Sequence, residues 1–118
     1  MGRSSDFARL LAAARAYPGA YEDHPWGETV VKVGKKVFVF LGDGSGPGGC
    51  SVKLHESQDA ALAAPGAEPT GYGLGKAGWV SVPFQARSPS VGILSDWVEE
   101  SYRIVAPKKL VKELDEGA

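Results

Sequence analysis

Three neighbouring side chains near the start of the chain have the chemistry of a metal site or an acid–base pair. Glu22, Asp23 and His24 lie side by side in the segment YPGAYEDHPWG, which covers residues 17–27. Two carboxylates beside an imidazole could ligate a metal ion or exchange a proton. The alternative is a polar connection between two structural elements, in which the carboxylates accept N–H groups left unpaired by a turn.

The backbone chemistry of this segment favours the polar connection. Consecutive side chains in an extended segment point in alternate directions, so these three residues do not converge on one centre. Pro25 restricts His24 to an extended conformation, which we expect to turn the imidazole away from Asp23. We therefore predict a corner between the first helix and the first strand, without a catalytic or metal-binding role.

The rest of the sequence offers few other groups for catalysis or metal binding. His55 is the only other histidine and Cys50 the only cysteine, and they stand five positions apart along a predicted strand run. Their side chains should therefore lie on opposite faces of the strand. No Cys-x-x-Cys, His-x-x-x-His or Gly-x-Ser-x-Gly motif is present. We expect no enzymatic activity, no metal site and no cofactor.

Length and composition indicate one globular domain over residues 1–118, with 43% hydrophobic and 23% charged residues. Thirteen basic and fourteen acidic residues give a net charge of −1, which argues against a strong, dedicated nucleic-acid binder but allows a local basic patch. No apolar run approaches the ~20 residues that span a bilayer, so we expect no membrane association. A single cysteine suits a reducing compartment, and we expect a cytoplasmic protein.

The strongest structural signal is a β-hairpin. ETVVKV, residues 28–33, and KVFVFL, residues 36–41, are separated by Gly34-Lys35, which predicts antiparallel strands joined by a two-residue turn. A regular register would place Val31 with Phe38 and Phe40 on one face, and Val30 with Val39 and Leu41 on the other. Both faces would be largely apolar, so either the sheet is covered on both sides or one face receives a partner.

The remaining elements surround this hairpin. A first helix is predicted from a cap at Ser4–Asp6 to Tyr17, where Pro18 ends it. Further along we predict a strand over 50–54, a short helix over 59–64 capped by Ser57, a strand over 79–82, and the longest helix from about Pro89, capped by Ser88, to Ala106. The glycine-rich segment 42–49 is expected to be a hairpin loop, and KKLVKEL a last amphipathic turn or two. The order α-β-β-β-α-β-α predicts an α+β domain with helices packed on an antiparallel sheet.

Several stretches together resemble the MmcQ/YjbR family, from about Phe7 to the C-terminus. The matching residues are Pro18-Gly19, Glu22-Asp23, Pro25-Trp26-Gly27, VKVGKKVF, SVKL, PGAEPTGYGLGKAGWVSV and ESYRIVAPKK. The resemblance implies a CyaY-like fold and DNA binding through a double-wing arrangement of the sheet. CyaY relatives bind iron through acidic surface residues, but Asp6 is the only carboxylate of the first predicted helix here.

Basic residues near aromatic ones are the candidates for contact with DNA. Cations attract the phosphate backbone, and aromatic rings stack on bases. The run from Ser101 to Lys112 contains four basic residues and no acidic one, and the predicted hairpin turn adds two lysines. The predicted nucleic-acid-binding residues are Lys35, Lys36, Tyr72, Lys76, Trp79, Arg103, Lys108, Lys109 and Lys112.

Two functions follow from these patterns. The first is weak, non-enzymatic DNA binding through a local basic patch, without sequence specificity. The second is a protein-interaction or regulatory module that uses an apolar sheet face and binds no nucleic acid. Phosphate contacts make affinity depend on salt, so a titration of duplex DNA at two salt concentrations distinguishes the two functions.

Overall fold

Six antiparallel strands and four α-helices make up the part of the chain that the computed structural model describes, which is residues 4–42, 48–71, 74–84 and 89–117. The helices are α1 (Ser4–Arg15), α2 (Gln58–Leu62), α3 (Val91–Val105) and α4 (Lys108–Gly117). The strands are β1 (Ala20–Asp23), β2 (Thr29–Val33), β3 (Lys36–Gly42), β4 (Gly49–Lys53), β5 (Glu68–Pro69) and β6 (Trp79–Pro83). The predicted α+β class is confirmed, with the predicted elements in the predicted order.

The strands form one sheet in the order β1-β2-β3-β4-β6-β5. Its two edge strands, β1 and β5, were not predicted. β1 covers residues expected to form a corner, because Tyr21, Glu22 and Asp23 lack the apolar alternation typical of a strand. β5 has only two residues and pairs with the middle of β6. Both depend on a neighbouring strand for their hydrogen bonds, so the local sequence carries little signal for them.

The predicted hairpin is confirmed, but its register is not regular. Val33 pairs with Lys36 across the Gly34-Lys35 turn, as expected. Further on, Lys32 pairs with Val37 and Val31 with Val39, so Phe38 is an extra residue in β3. Such a bulge keeps two successive side chains on one side of the sheet. Phe38 and Val39 are accordingly both buried in the core.

The bulge overturns the expected division of the hairpin into two faces. Val31 shares its face with Val39 rather than with Phe40, and Val30 is opposite Phe40 rather than grouped with Val39. The expected grouping assumed strict alternation along both strands. The extra residue Phe38 reverses it for Val31 and Val30, and a second register shift follows between Val30 and Thr29. The core consequently lies on the face formed by Val31 and Val39, beneath α1 and α3.

The longest helix ends where the sequence predicted and begins slightly later. Its last residue is Val105 and Ala106 is the C-cap, before Pro107. The N-cap is Ser90, whose hydroxyl accepts the Ile93 N–H at 3.4 Å, so the helix starts at Val91 rather than at Pro89. Ser88, the predicted cap, lies outside the described residues.

The other helices and loops differ from the predictions in detail. α1 ends at Arg15, two residues before the expected Tyr17. Ser57 occupies the N-cap of α2 without a capping hydrogen bond from its side chain. Most of the glycine-rich connection, residues 43–47, lies outside the described ranges. None of the described helices is long and apolar enough to cross a bilayer.

Candidate nucleic-acid interface

The β2–β3 turn and the junction between α3 and α4 together form a groove of about 420 Å³. We call it the basic groove; its lining residues are Val33, Gly34, Lys35, Lys36, Val105, Ala106, Pro107 and Lys108. The turn contributes two of its lysines and the first residue of α4 contributes the third. Among the described residues, no carboxylate forms an ion pair with Lys35, Lys36 or Lys108. The groove therefore carries uncompensated positive charge from two distant parts of the chain.

The turn side of the groove is fixed by its backbone. Gly34 has a φ of +63°, a left-handed conformation that glycine adopts without strain and that suits a two-residue hairpin turn. The Tyr21 hydroxyl donates to the Gly34 carbonyl at 2.6 Å, which ties the turn to the edge strand β1. Lys35 and Lys36 are exposed on this tethered turn.

The helix side of the groove begins at Pro107. The Pro107 carbonyl accepts the N–H groups of Leu110 and Val111, which starts α4 and leaves the N–H groups of Lys108 and Lys109 without an acceptor in the described part of the chain. The first turn of α4 contains no acidic residue. The start of a helix favours anions because its free N–H groups carry partial positive charge. Lys108 and these N–H groups therefore favour the same kind of ligand.

The other predicted basic residues of the C-terminal run are differently placed. Lys109 is exposed next to the groove on α4. Lys112 lies one turn further on, 4.0 Å from the Glu116 carboxylate and largely exposed. Arg103 donates to Asp115 and to Glu99, each at 2.8 Å, and the hydrogen bonds to these two carboxylates raise the pKa of its guanidinium. Its charge is therefore largely offset within the protein.

The predicted residues around β6 are not part of the groove. Lys76 is exposed in a short 3-10 helix, Leu74–Ala77, that precedes β6, two strands away from β3. Trp79 is only 7% exposed, and its ring meets Phe40 edge-on at a centroid distance of 5.3 Å. Little of the indole is left for a base to stack on. Tyr72 lies outside the described residues.

An acidic surface borders the candidate interface along α3. It is a groove of about 540 Å³ lined by His55, Glu56, Asp96, Glu99, Glu100, Arg103 and Ile104. One carboxylate oxygen of Glu100 accepts the N–H groups of His55, Glu56 and Ser57 at 2.7, 2.9 and 3.2 Å. Desolvation alone would raise the pKa of Glu100, but the hydrogen bond from the Ser57 side chain and the bonds from these three backbone N–H groups together lower it. The surface therefore stays negative and repels phosphates.

The segment that prompted the metal hypothesis forms two separate groups of polar contacts. One Glu22 oxygen lies 2.7 Å from His24 Nε2, and the other lies 3.4 Å from an Arg15 nitrogen. Asp23 points elsewhere and accepts the His24 backbone N–H at 2.8 Å and the Lys32 ammonium at 3.1 Å. The His24 N–H and then Lys32 lower the pKa of Asp23.

These contacts agree with the alternation argued from the sequence. Glu22 and His24 are two positions apart and meet on one side of the backbone, whereas Asp23 lies on the other. Asp23 accepts a backbone N–H as expected, but Glu22 accepts side-chain donors instead. Within the described ranges, no group of three or more His, Cys, Asp or Glu residues is arranged to hold a metal ion.

One residue beside the turn, Tyr21, was not among the predicted site residues. Tyr21 is 44% exposed and lies on the sheet face opposite the core, paired with Lys32 across β1 and β2. Tyr21 stands four residues after Tyr17 and just past the Pro18-Gly19 break, after which a strand can begin. This position in the sequence is the feature that could have identified it. Without β1, however, nothing in the sequence brings Tyr21 to the Gly34 carbonyl.

The YjbR family model matches residues 15–104. No curated protein matches the chain at a significant level. The matched region contains the turn lysines, Lys35 and Lys36, and ends before α4, so Lys108 and Lys109 lie outside it.

Proposed function

The chain belongs to the YjbR family, and from this we propose that it is a weak, non-enzymatic DNA-binding protein that holds the phosphate backbone in the basic groove. The convergence of Lys35, Lys36 and Lys108 on one groove carries the proposal. Isolated surface lysines are common and solvated, but three of them around one concave site raise the local positive potential. A phosphate placed between them relieves their mutual repulsion.

The chemistry of the groove supports binding through the backbone rather than through base edges. Its charged groups are lysines and the free N–H groups that start α4, and these attract phosphate without reading sequence. About three phosphate contacts predict a slope of log affinity against log salt near −2.7 for duplex DNA. The net charge of −1 adds no general attraction. Binding should therefore be weak and detectable mainly at low salt.

The test is fluorescence anisotropy with a labelled DNA duplex at several salt concentrations between about 20 and 200 mM. The variant combines Lys35→Gln, Lys36→Gln and Lys108→Gln, which keep side-chain length and remove charge. We expect the affinity to fall and the salt slope to approach zero. Lys76→Gln is the matched control, because Lys76 is exposed and outside the groove.

Two results would contradict the proposal. One is a wild-type protein that fails to bind duplex or single-stranded DNA at the lowest salt. The other is a Lys76→Gln control that loses as much affinity as the triple variant, which would show a diffuse charge effect instead of a groove.

The alternative function, a protein-interaction module on an apolar sheet face, has less support. On the face opposite the core, Val30 is fully buried and Trp79 nearly so, and among the described residues Tyr21 is the one large apolar side chain exposed there. The same face carries a row of hydroxyls, in which Ser81 bonds to Ser51 at 2.7 Å and to Thr70 at 2.8 Å. Such a surface is more polar than the centre of a protein interface usually is.

A further inference from the structure

Tyr21 is one of two large apolar side chains, with Ile93, that are exposed in the described part of the chain. It differs from Ile93 in being anchored at both ends. Its backbone belongs to β1, and its hydroxyl donates to the Gly34 carbonyl at 2.6 Å. The ring is therefore held in one orientation before any ligand arrives, so binding to it costs little side-chain entropy.

The anchor point of Tyr21 is the same turn that supplies two lysines of the basic groove. Gly34 stands between Tyr21, on the sheet face opposite the core, and Lys35, which lines the groove next to α4. A nucleic-acid strand that crosses the turn therefore meets a cation and an aromatic ring in succession. This combination is typical of surfaces that bind single strands.

The charges around the ring do not oppose an approaching phosphate strongly. Asp23 lies on the same face two residues along β1, and its carboxylate is paired with Lys32 at 3.1 Å. Lys32 is also the cross-strand neighbour of Tyr21. The negative charge of Asp23 is thus offset within the sheet, and the free cations nearby are those of the turn.

We propose that Tyr21 stacks on an unpaired base of single-stranded DNA whose backbone crosses the turn at Lys35 and Lys36. The inference rests on the proposed function and names its preferred substrate. In a duplex the bases are already stacked on one another, so a ring at the protein surface can reach only a base that is splayed out. Tyr21 therefore adds affinity for a single strand and none for a duplex.

The experiment compares Tyr21→Leu with Tyr21→Phe, using labelled oligo-dT and a duplex of equal length in anisotropy titrations. Both variants lose the hydrogen bond to Gly34, but only Tyr21→Leu loses the ring. We expect Tyr21→Leu to weaken oligo-dT binding by about 5- to 100-fold, the range typical for loss of one base–aromatic stack. Tyr21→Phe should stay within about threefold of wild type, and neither variant should change the salt slope, because no charge is removed.

Each outcome bears on one of the two proposals. Equal loss of oligo-dT affinity in Tyr21→Leu and Tyr21→Phe would overturn the stacking role, since the hydrogen bond alone would then explain it. Unchanged oligo-dT binding in Tyr21→Leu, with loss in the triple lysine variant, would overturn the stacking role and leave the groove intact. Upfield NMR shifts of the Tyr21 ring protons on addition of oligo-dT, absent with the duplex, are a second expected result.

Discussion

The Ser101 hydroxyl of α3 donates to the Phe38 carbonyl of β3 at 2.5 Å, and the same oxygen accepts the Lys53 N–H of β4 at 2.9 Å. The direct pairing of β3 with β4 reaches Val39 and Val52, so Phe38 and Lys53 are the next opposed positions. The fully buried Ser101 side chain therefore takes the place of one pair of backbone hydrogen-bonding positions between β3 and β4 at the bulge.

Ser101→Ala should destabilise the protein by about 1–3 kcal/mol, because it leaves the Phe38 carbonyl and the Lys53 N–H without their partner. Urea unfolding followed by tryptophan fluorescence measures the change. Ser95→Ala, on the more exposed side of the same helix, is the control and should stay within about 0.5 kcal/mol. A similar small effect at Ser101 would mean that water takes the place of the hydroxyl.

Trp97 of α3 is 7% exposed and belongs to the core cluster, as the apolar spacing of this helix predicted. Trp97→Ala should cost about 3–5 kcal/mol through lost burial and a residual cavity. Ile93→Ala provides a comparison on the same helix, since Ile93 is 46% exposed and should cost less than about 1 kcal/mol. Both values come from chemical denaturation, and equal values would contradict the packing described for α3.

The Glu100 carboxylate makes the free energy of unfolding depend on pH, and the direction of that dependence follows from its pKa shift. Its pKa is lowered in the folded protein, so the stabilisation it provides is complete above the ordinary glutamate pKa of about 4.3 and is lost as the pH falls through the lower folded value. Glu100→Gln should therefore cost about 1 kcal/mol near neutral pH and progressively less below about pH 4. Thermal unfolding across this pH range is the measurement.

The control for Glu100 is Glu68→Gln, because Glu68 is exposed on β5. Glu68→Gln should change the free energy of unfolding by less than about 0.5 kcal/mol. A Glu100→Gln difference that grows on acidification would contradict the assigned direction of the pKa shift.

Two left-handed glycines should respond differently to the same substitution. A Cβ on Gly78, which has a φ of +100°, would lie 2.6 Å from the Leu54 carbonyl oxygen. Gly27 has a φ of +80°, and among the described residues no atom beyond its own and those of its two chain neighbours lies within 4 Å of the position that its Cβ would occupy. Gly27→Ala should cost about 1–2 kcal/mol of backbone strain, and Gly78→Ala about 1–3 kcal/mol more because backbone must shift. Equal decreases in the free energy of unfolding, measured with urea, would show that the backbone at Leu54 and Gly78 shifts with little energetic cost.

Local chemistry explains which parts of this fold the sequence could predict. The hairpin turn and the end of α3 follow from Gly34 and Pro107, whose backbone preferences act on their immediate neighbours. At the bulge, the Phe38 carbonyl accepts the hydroxyl of Ser101, which is 63 residues away, and no local pattern records this contact. The register of the hairpin could therefore not be predicted from the sequence, although the hairpin itself could.

In the candidate site, too, local features could be predicted from the sequence and long-range contacts could not. Lys35, Lys36 and Lys108 were predicted from their charge near aromatic residues and from the family resemblance, and the fold brings them together. Trp79 was chosen for its ring, but the pairing of β4 with β6 and the contact with Phe40 bury it. Arg103 was chosen for its charge, and Asp115 on α4 offsets that charge through the turn at Pro107. Aromatic exposure and ion pairing both depend on partners distant in sequence.

Neither edge strand of the sheet favours pairing with a strand from another molecule. β5 offers only two residues, and one of them, Pro69, has no N–H to donate. β1 is four residues long and carries Glu22 and Asp23. Short, charged or proline-containing borders are poor templates for intermolecular β-pairing. The protein should therefore resist fibrillar self-association at concentrations where a sheet with long apolar borders would aggregate.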